Sequence, residues 1–173
     1  MTRRRLILGA VAFVALAYAG LSTYVISNQS IEHLLLCADS GGLKVPFSKA
    51  VCRNFLFAFR GTQSDIEALH RGTGASFVVQ GESTEDRREQ VLKFLVAKGL
   101  DVNREDMHRL TPLHGAVLTN SSVEVGMLLR NGADPRLQDK RFGLTPLELA
   151  FKLQSERSEE DRQGVIVLLK GAN

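Results

Sequence analysis

A basic excess is missing from this 173-residue chain once its first 26 residues are set aside. The whole chain holds 22 Lys+Arg against 19 Asp+Glu, and Arg3, Arg4 and Arg5 account for the difference, leaving 19 of each sign from Ser27 onward. A nucleic-acid binder neutralises phosphates with clustered basic side chains, so that class is set aside. Cysteine is scarce: Cys37 and Cys52 stand 15 positions apart, and no cysteine pair is two or three residues apart. The four histidines, His33, His70, His108 and His114, include no His-x-x-x-His pair, so zinc ligation is unsupported. Gly72-Thr73-Gly74 lacks the lysine and helix start of a phosphate loop. No nucleophile–base–orienter set is visible, and the acidic runs Glu85-Asp86 and Glu159-Glu160-Asp161 read as solvated turns because they lie in wholly polar stretches. No metal, cofactor, nucleic acid, small-molecule substrate or enzymatic activity is therefore expected.

Charge of either sign is also absent from LILGAVAFVALAYAGLSTYVI, Leu6 to Ile26. At about 1.5 Å per residue this run spans roughly 30 Å, enough for one membrane helix through residues 6–26. A cleaved signal peptide is the competing reading, because Ala17-Tyr18-Ala19 before Gly20 has small residues at the right spacing. Against it, the apolar run continues through Ile26. Arg3, Arg4 and Arg5 precede the run and are expected to stay in the cytoplasm, sending the rest across the membrane.

The chain writes one helix start twice, as Thr111-Pro112-Leu113-His114-Gly115-Ala116 and Thr145-Pro146-Leu147-Glu148-Leu149-Ala150. The threonine hydroxyl can accept from an orphan helical N–H, and proline at the first helical position loses nothing by lacking one. The helix ends recur too: EQVLKFLVAKGLDVN (Glu89 to Asn103), VEVGMLLRNGADP (Val123 to Pro135) and GVIVLLKGAN (Gly164 to Asn173) each place Lys98-Gly99, Asn131-Gly132 or Lys170-Gly171 after an apolar stretch. Glycine there supplies the left-handed conformation that stops a helix. Gly99 and Gly132 are 33 residues apart, a period that marks stacked repeats. Val125, Leu128 and Leu129 fall at i, i+3, i+4, and Leu113 and Val117 are one turn apart. One helix pair has too little surface to bury such a stripe alone.

These residues resemble the ankyrin repeat family, in a short bacterial exported or membrane-anchored form. The resemblance covers about Glu85 to Asn173, with one complete repeat from Asp101 to Ala133, half a repeat before it and an extended one after it. Three departures stand out. Glu148 replaces the motif histidine, which leaves that histidine's hydrogen bonds in doubt in the last repeat. One extra residue falls in DKRFGLTP, predicting an enlarged turn. The connection QSERSEEDRQ, Gln154 to Gln163, is long and charged, predicting that it stays in solvent. For His114 the resemblance implies a structural role, bonded to the repeat's own backbone.

Between anchor and repeats, SIEHLLLCADS, PFSKAVCRNFLFAFR with Pro46 near its start, and SDIEALHRG with Ser64 as cap read as helices. ASFVVQG reads as a short strand or the remnant of a degenerate repeat. Cys37 and Cys52 are a disulfide candidate if the domain lies outside the cytoplasm, buried unpaired thiols being the alternative. The expected fold is all-α: a solenoid of stacked ankyrin helix pairs (85–173) behind a divergent N-terminal helical cap (27–84), preceded by one transmembrane or signal-anchor helix (1–26).

The resemblance implies protein–protein interaction through the hairpin tips. Carried onto this chain, that surface comprises Arg104, Glu105, Met107, His108 and Arg109, and then Arg136, Gln138, Lys140, Arg141 and Phe142. Phe142 is the anchor candidate, unless it folds back over the repeat. In its sharper form the resemblance implies an immunity protein that binds and neutralises a secreted effector toxin of a bacterial secretion system. An envelope scaffold or accessory protein for an envelope enzyme, and an enzyme using the N-terminal segment, are the rivals. The expected place is the inner membrane, single-pass, with the C-terminal domain in the periplasm, or a soluble periplasmic form after signal cleavage.

Overall fold

The computed structural model describes residues 2–40, 48–157 and 159–172. Among them every regular element is helical: α1 (Thr2–Ser27), α2 (Ile31–Ser40), α3 (Ser48–Phe59), α4 (Gln63–Arg71), α5 (Ala75–Val79), α6 (Glu85–Ala97), α7 (Pro112–Leu118), α8 (Ser122–Arg130), α9 (Pro146–Glu156) and α10 (Gln163–Ala172). Residues Ile7 to Ser27 of α1 form a helix long and apolar enough to cross a membrane.

Helices α5/α6, α7/α8 and α9/α10 pair, and the pairs stack through α5 on α7, α7 on α9 and α8 on α10. Leu92 and Leu95 of α6, Leu113 and Val117 of α7, Val125 and Leu128 of α8, Leu149 and Ala150 of α9, and Ile166 and Leu169 of α10 are all buried in one continuous core that also takes in α2, α3 and α4. No pair could bury its stripe alone, so stacking and helix formation are one event.

The local signals act where the sequence puts them. Thr111 and Thr145 cap α7 and α9, each accepting from the N–H three residues on, with proline in the first turn. Gly99 and Gly132 have φ of 105° and 94°. After each, the chain returns a backbone bond five residues back, Leu100 N–H to Leu95 O at 2.9 Å and Ala133 N–H to Leu128 O at 3.0 Å, which satisfies orphan carbonyls at the helix end.

Three local expectations differ from the structure, and one open alternative is decided by it. Of the two readings of ASFVVQG, the repeat remnant stands and the strand does not: it forms α5, and its Val78 and Val79 are buried, giving the half-repeat its missing first helix. The cap of the fourth helix is Thr62 rather than Ser64, because Asp65 sits three residues after Thr62 and closes a reciprocal capping box with it. Gly171 does not stop α10. At Gly99 and Gly132 the following residue, Leu100 or Ala133, is buried and draws the chain back, whereas Ala172 is exposed and helical. Pro46 lies outside the described residues.

The third lies in the long connection, at one residue. Helix α9 runs on through Glu156, and Arg162, 1% exposed, is buried beneath the connection. Its Nη1 donates to Val117 O at 2.7 Å, a carbonyl in the last turn of α7 that favours a cation, and its Nη2 pairs with Glu160. The other charged residues of the connection, Glu156, Arg157, Glu159, Glu160 and Asp161, are exposed as expected.

In the cap, Cys37 of α2 and Cys52 of α3 are joined, with Cα atoms 5.9 Å apart, and both side chains are buried. Arg60, just after α3, donates its Nη1 to Gln29 O at 2.9 Å and its Nε to both Asp65 oxygens at 3.1 Å. One guanidinium thus ties the α1–α2 junction to the start of α4.

The stacked core and the caps differ in cost. Leu128 is fully buried, so Leu128→Ala leaves a cavity and should cost about 2–5 kcal/mol, while Thr111→Ala removes a cap worth about 1 kcal/mol. Denaturant unfolding of the detergent-solubilised chain should rank Leu128→Ala as the larger loss. The opposite order would contradict the stacked core.

Candidate protein-binding surface at the hairpin tips

Two turns built on one plan connect the helix pairs. In the first, Asp106 N–H donates to Leu110 O at 2.9 Å, and Asp106 Oδ1 accepts from His108 N–H at 2.7 Å and Leu110 N–H at 3.1 Å. In the second, Asp139 N–H donates to Leu144 O at 3.2 Å, and Asp139 Oδ1 accepts from Phe142 N–H at 3.2 Å and Leu144 N–H at 3.3 Å. Each turn closes through a residue at positive φ, Arg109 at 62° and Gly143 at 66°. Asp106 stands five residues before Thr111 and Asp139 six before Thr145, so the extra residue is absorbed inside the second aspartate-closed loop.

The two tips are joined side by side. Lys140 N–H donates to Arg109 O at 3.2 Å, and Lys140 Nζ pairs with Glu105 Oε2 at 3.0 Å. Nearer the base, Asn103 bridges the repeats, its Nδ2 donating to Gly132 O at 3.2 Å and its Oδ1 accepting from Asp134 N–H at 2.8 Å. Asp101 and Asp134, 33 residues apart, each accept from the N–H two residues on, at 2.8 and 2.9 Å.

Arg104, Met107, His108 and Arg109 are exposed, as are Arg136, Gln138, Lys140, Arg141 and Phe142, while Glu105 is half-buried under Lys140. Met107 is 70% exposed at the first tip. Phe142 is 39% exposed, with the Arg141 guanidinium 5.2 Å from its ring centroid, so the aromatic face is screened on one side by a cation and open on the other. Arg136 is held to its neighbour Asp134 at 3.1 Å rather than to the adjacent tip.

Sequence reasoning missed Asp106, Asp139 and Asn103. Short polar side chains that bond backbone a few residues on are turn formers, and an aspartate just upstream of each Leu-Thr-Pro was the available signal. Asn103 bonds the next repeat, 29 and 31 residues away, and no local pattern reports it.

Beneath the tips His114 is fully buried. Its Nε2 lies 2.8 Å from Leu144 O and its Nδ1 2.7 Å from Thr111 Oγ1. A carbonyl only accepts, so Nε2 carries the proton and Nδ1 accepts from the threonine hydroxyl. Burial lowers the His114 pKa below its ordinary value, against the opposing pull of the Leu144 carbonyl and of the Asp139 and Glu105 charges. His70 of α4 is lowered too, by burial and by Arg104, and its Nε2 accepts from Asp101 N–H at 3.0 Å. Two neutral imidazoles therefore hold the bases of the two hairpins.

Residues 95–150, from the last turn of α6 into α9, match the family described as ankyrin repeats (many copies). That segment carries ankyrin repeats. An ADP-ribosylation factor GTPase-activating protein of Arabidopsis thaliana is 36% identical over 70 residues, which is 40% of this chain and 9% of that protein. A potassium channel of the same plant is 31% identical over 90 residues, 52% of this chain and 11% of the channel. Protein lin-12 of Caenorhabditis elegans is 29% identical over 121 residues, 60% of this chain and 8% of that protein. The chain thus spans about a tenth of the length of these curated relatives. Ankyrin repeats are typically an interaction module rather than a catalytic domain.

These two histidines make stability depend on pH. Because the folded pKa of His114 is depressed, its contribution is fully present above the unfolded value of about 6.5 and is lost as pH falls below it, when the unfolded chain binds the proton first. Urea midpoints should be lower at pH 5.5 than at pH 7.5, the difference shrinking in His114→Gln and further when His70→Gln is added. An unchanged pH difference in the double variant would contradict two imidazoles held neutral by the fold.

Proposed function

We propose that this chain is a single-pass membrane protein whose ankyrin array binds another protein through the paired hairpin tips, on the periplasmic side of a bacterial inner membrane. The carrying observation is the union of the two tips through Lys140, Arg109 and Glu105, which joins the turns that carry the exposed Met107 and Phe142. The charge of that face supports the reading further. Residues 104–109 and 134–142 hold five Arg and Lys against four Asp and Glu, and Asp106 and Asp139 turn their Oδ1 inward onto backbone N–H groups. What faces outward is basic around an apolar centre, although the chain beyond residue 26 is neutral. The partner surface it fits is acidic with an apolar pocket.

The anchor is residues 1–26, the cap 27–84 and the array 85–173, with α5 lending the array its first helix. Within α1 the Thr23 hydroxyl donates to Ala19 O at 2.8 Å, so the threonine of the apolar run needs no outside partner in hydrocarbon. The Cys37–Cys52 bond forms on the oxidising side of the membrane. The sharper form of the reading is an immunity protein that occupies a secreted effector. It is supported by the resemblance to small exported ankyrin proteins encoded beside such effectors, and by the fact that occupancy asks only for a rigid complementary surface.

Arg141→Ala with Phe142→Ala should weaken association with the co-encoded effector by roughly 30-fold or more, about 2 kcal/mol, while the unfolding midpoint barely changes. Undiminished binding in the double variant, measured by calorimetry, would remove the tips from the interface.

A further inference from the structure

The tips leave an apolar edge at the opposite end of the chain unexplained. Val51, Phe55 and Phe59 recur every fourth residue along α3 and so share one face. Phe55 and Phe59 lie against each other with ring centroids 5.0 Å apart. Phe59 is 68% exposed and Val51 is exposed as well. The third phenylalanine of this helix, Phe57, packs edge-on against Phe94 of α6 at 4.9 Å, so it serves the contact between cap and array. Phe55 is half-buried and packs partly on the domain core, while Phe59 at the end of the stripe stays exposed.

Their position relative to α1 is fixed. Arg60 follows Phe59 directly, and its Nη1 bonds the carbonyl of Gln29, two residues beyond the end of α1. Gln29 N–H in turn donates to Ile26 O at 3.2 Å, and Ile26 is buried in the domain core. The last turn of α1 is therefore built into the cap, with only Asn28, Gln29 and Ser30 between α1 and α2. The C-terminal end of α3 sits within one arginine side chain of the point where the chain leaves α1. Tyr24, exposed on the last turn of α1, marks the same level with another aromatic ring, as aromatic residues do at a membrane interface.

We propose that the Val51–Phe55–Phe59 stripe lies in the interfacial layer of the bilayer that α1 crosses, and that this second contact fixes the orientation of the ankyrin domain on the membrane surface. The inference rests on the reading of α1 as a membrane span. A domain joined to a spanning helix by three ordered residues cannot leave the surface, so an apolar stripe beside the junction meets lipid before it meets any other partner. Partial insertion of such side chains among headgroups and upper acyl chains removes them from water, and the single attachment at α1 becomes two.

The chain contains no tryptophan, so one introduced tryptophan is an unambiguous reporter. The full-length chain is reconstituted into phosphatidylcholine–phosphatidylglycerol vesicles with or without brominated acyl chains, as three separate variants: Tyr18→Trp within α1, Phe59→Trp on the stripe and Phe142→Trp at the second tip. Tyr18→Trp should be strongly quenched by the brominated lipid. Phe59→Trp should lose roughly half its emission and shift to the blue, and Phe142→Trp should be unaffected. Quenched Tyr18→Trp with Phe59→Trp as unresponsive as Phe142→Trp overturns the inference and leaves the span standing. Unquenched Tyr18→Trp overturns the span and the inference with it. A blue-shifted but unquenched Phe59→Trp shows the stripe covered by protein, a second copy or a partner, and also overturns it.

Discussion

The bond from His114 Nε2 to Leu144 O, 2.8 Å long, is where one repeat is set against the next. Each helix pair depends on its neighbour to bury an apolar stripe, and the stripes meet only when the pairs are in register. His114 supplies that register from the first turn of α7: one ring nitrogen takes the hydroxyl of its own cap, Thr111, and the other holds the base of the following hairpin. Because the ring is buried, the bond exists in a dry setting where leaving either partner unmet is costly. The hairpin it holds carries the extra residue, and Asp139 takes up the slack with two backbone N–H groups. In the last repeat Glu148 stands in the histidine's place and turns back on its own cap, accepting from Thr145 N–H at 2.8 Å and from the Thr145 hydroxyl at 2.9 Å. The substitution keeps the helix start and gives up the reach to a next hairpin.

What was legible in the sequence is what repeats locally. Thr-Pro openings, glycines at positive φ after α6 and α8, and the Val125–Leu128 stripe each follow from a few adjacent residues, and all stand in the structure. The inserted turn was legible as a count but its closure by Asp139 was not. What stayed hidden depends on distant partners. Arg162 reads as one charge in a charged run, yet it is buried because a carbonyl 45 residues earlier in the chain accepts from it. Thr62 outcompetes Ser64 as a cap because Asp65, which completes the box, is also held by Arg60. The helix α5 was obscured by Val78 and Val79, residues with strand preference that tertiary burial against the array overrides.

The tip residues were legible as a group because the turns lie at fixed distances from the openings. Their union was not, since Lys140 to Glu105 crosses 35 residues. This union matters to the functional reading: two separate flexible turns would lose conformational entropy on binding a partner, while turns already closed by aspartates and joined to one another lose less. On the proposed reading, joined turns below and the exposed Met107 and Phe142 above would make a pre-formed contact surface.

The most direct measurement of that claim is position-specific. A photo-crosslinking amino acid is placed singly at Met107 and Phe142 on the tips, at Gln90 on the exposed side of α6 and at Val167 on the exposed side of α10, each in the full-length chain in cells that contain the partner. The account predicts one discrete crosslinked protein from Met107 and Phe142 and none from Gln90 or Val167. Crosslinking from α6 or α10 with silent tips would contradict it.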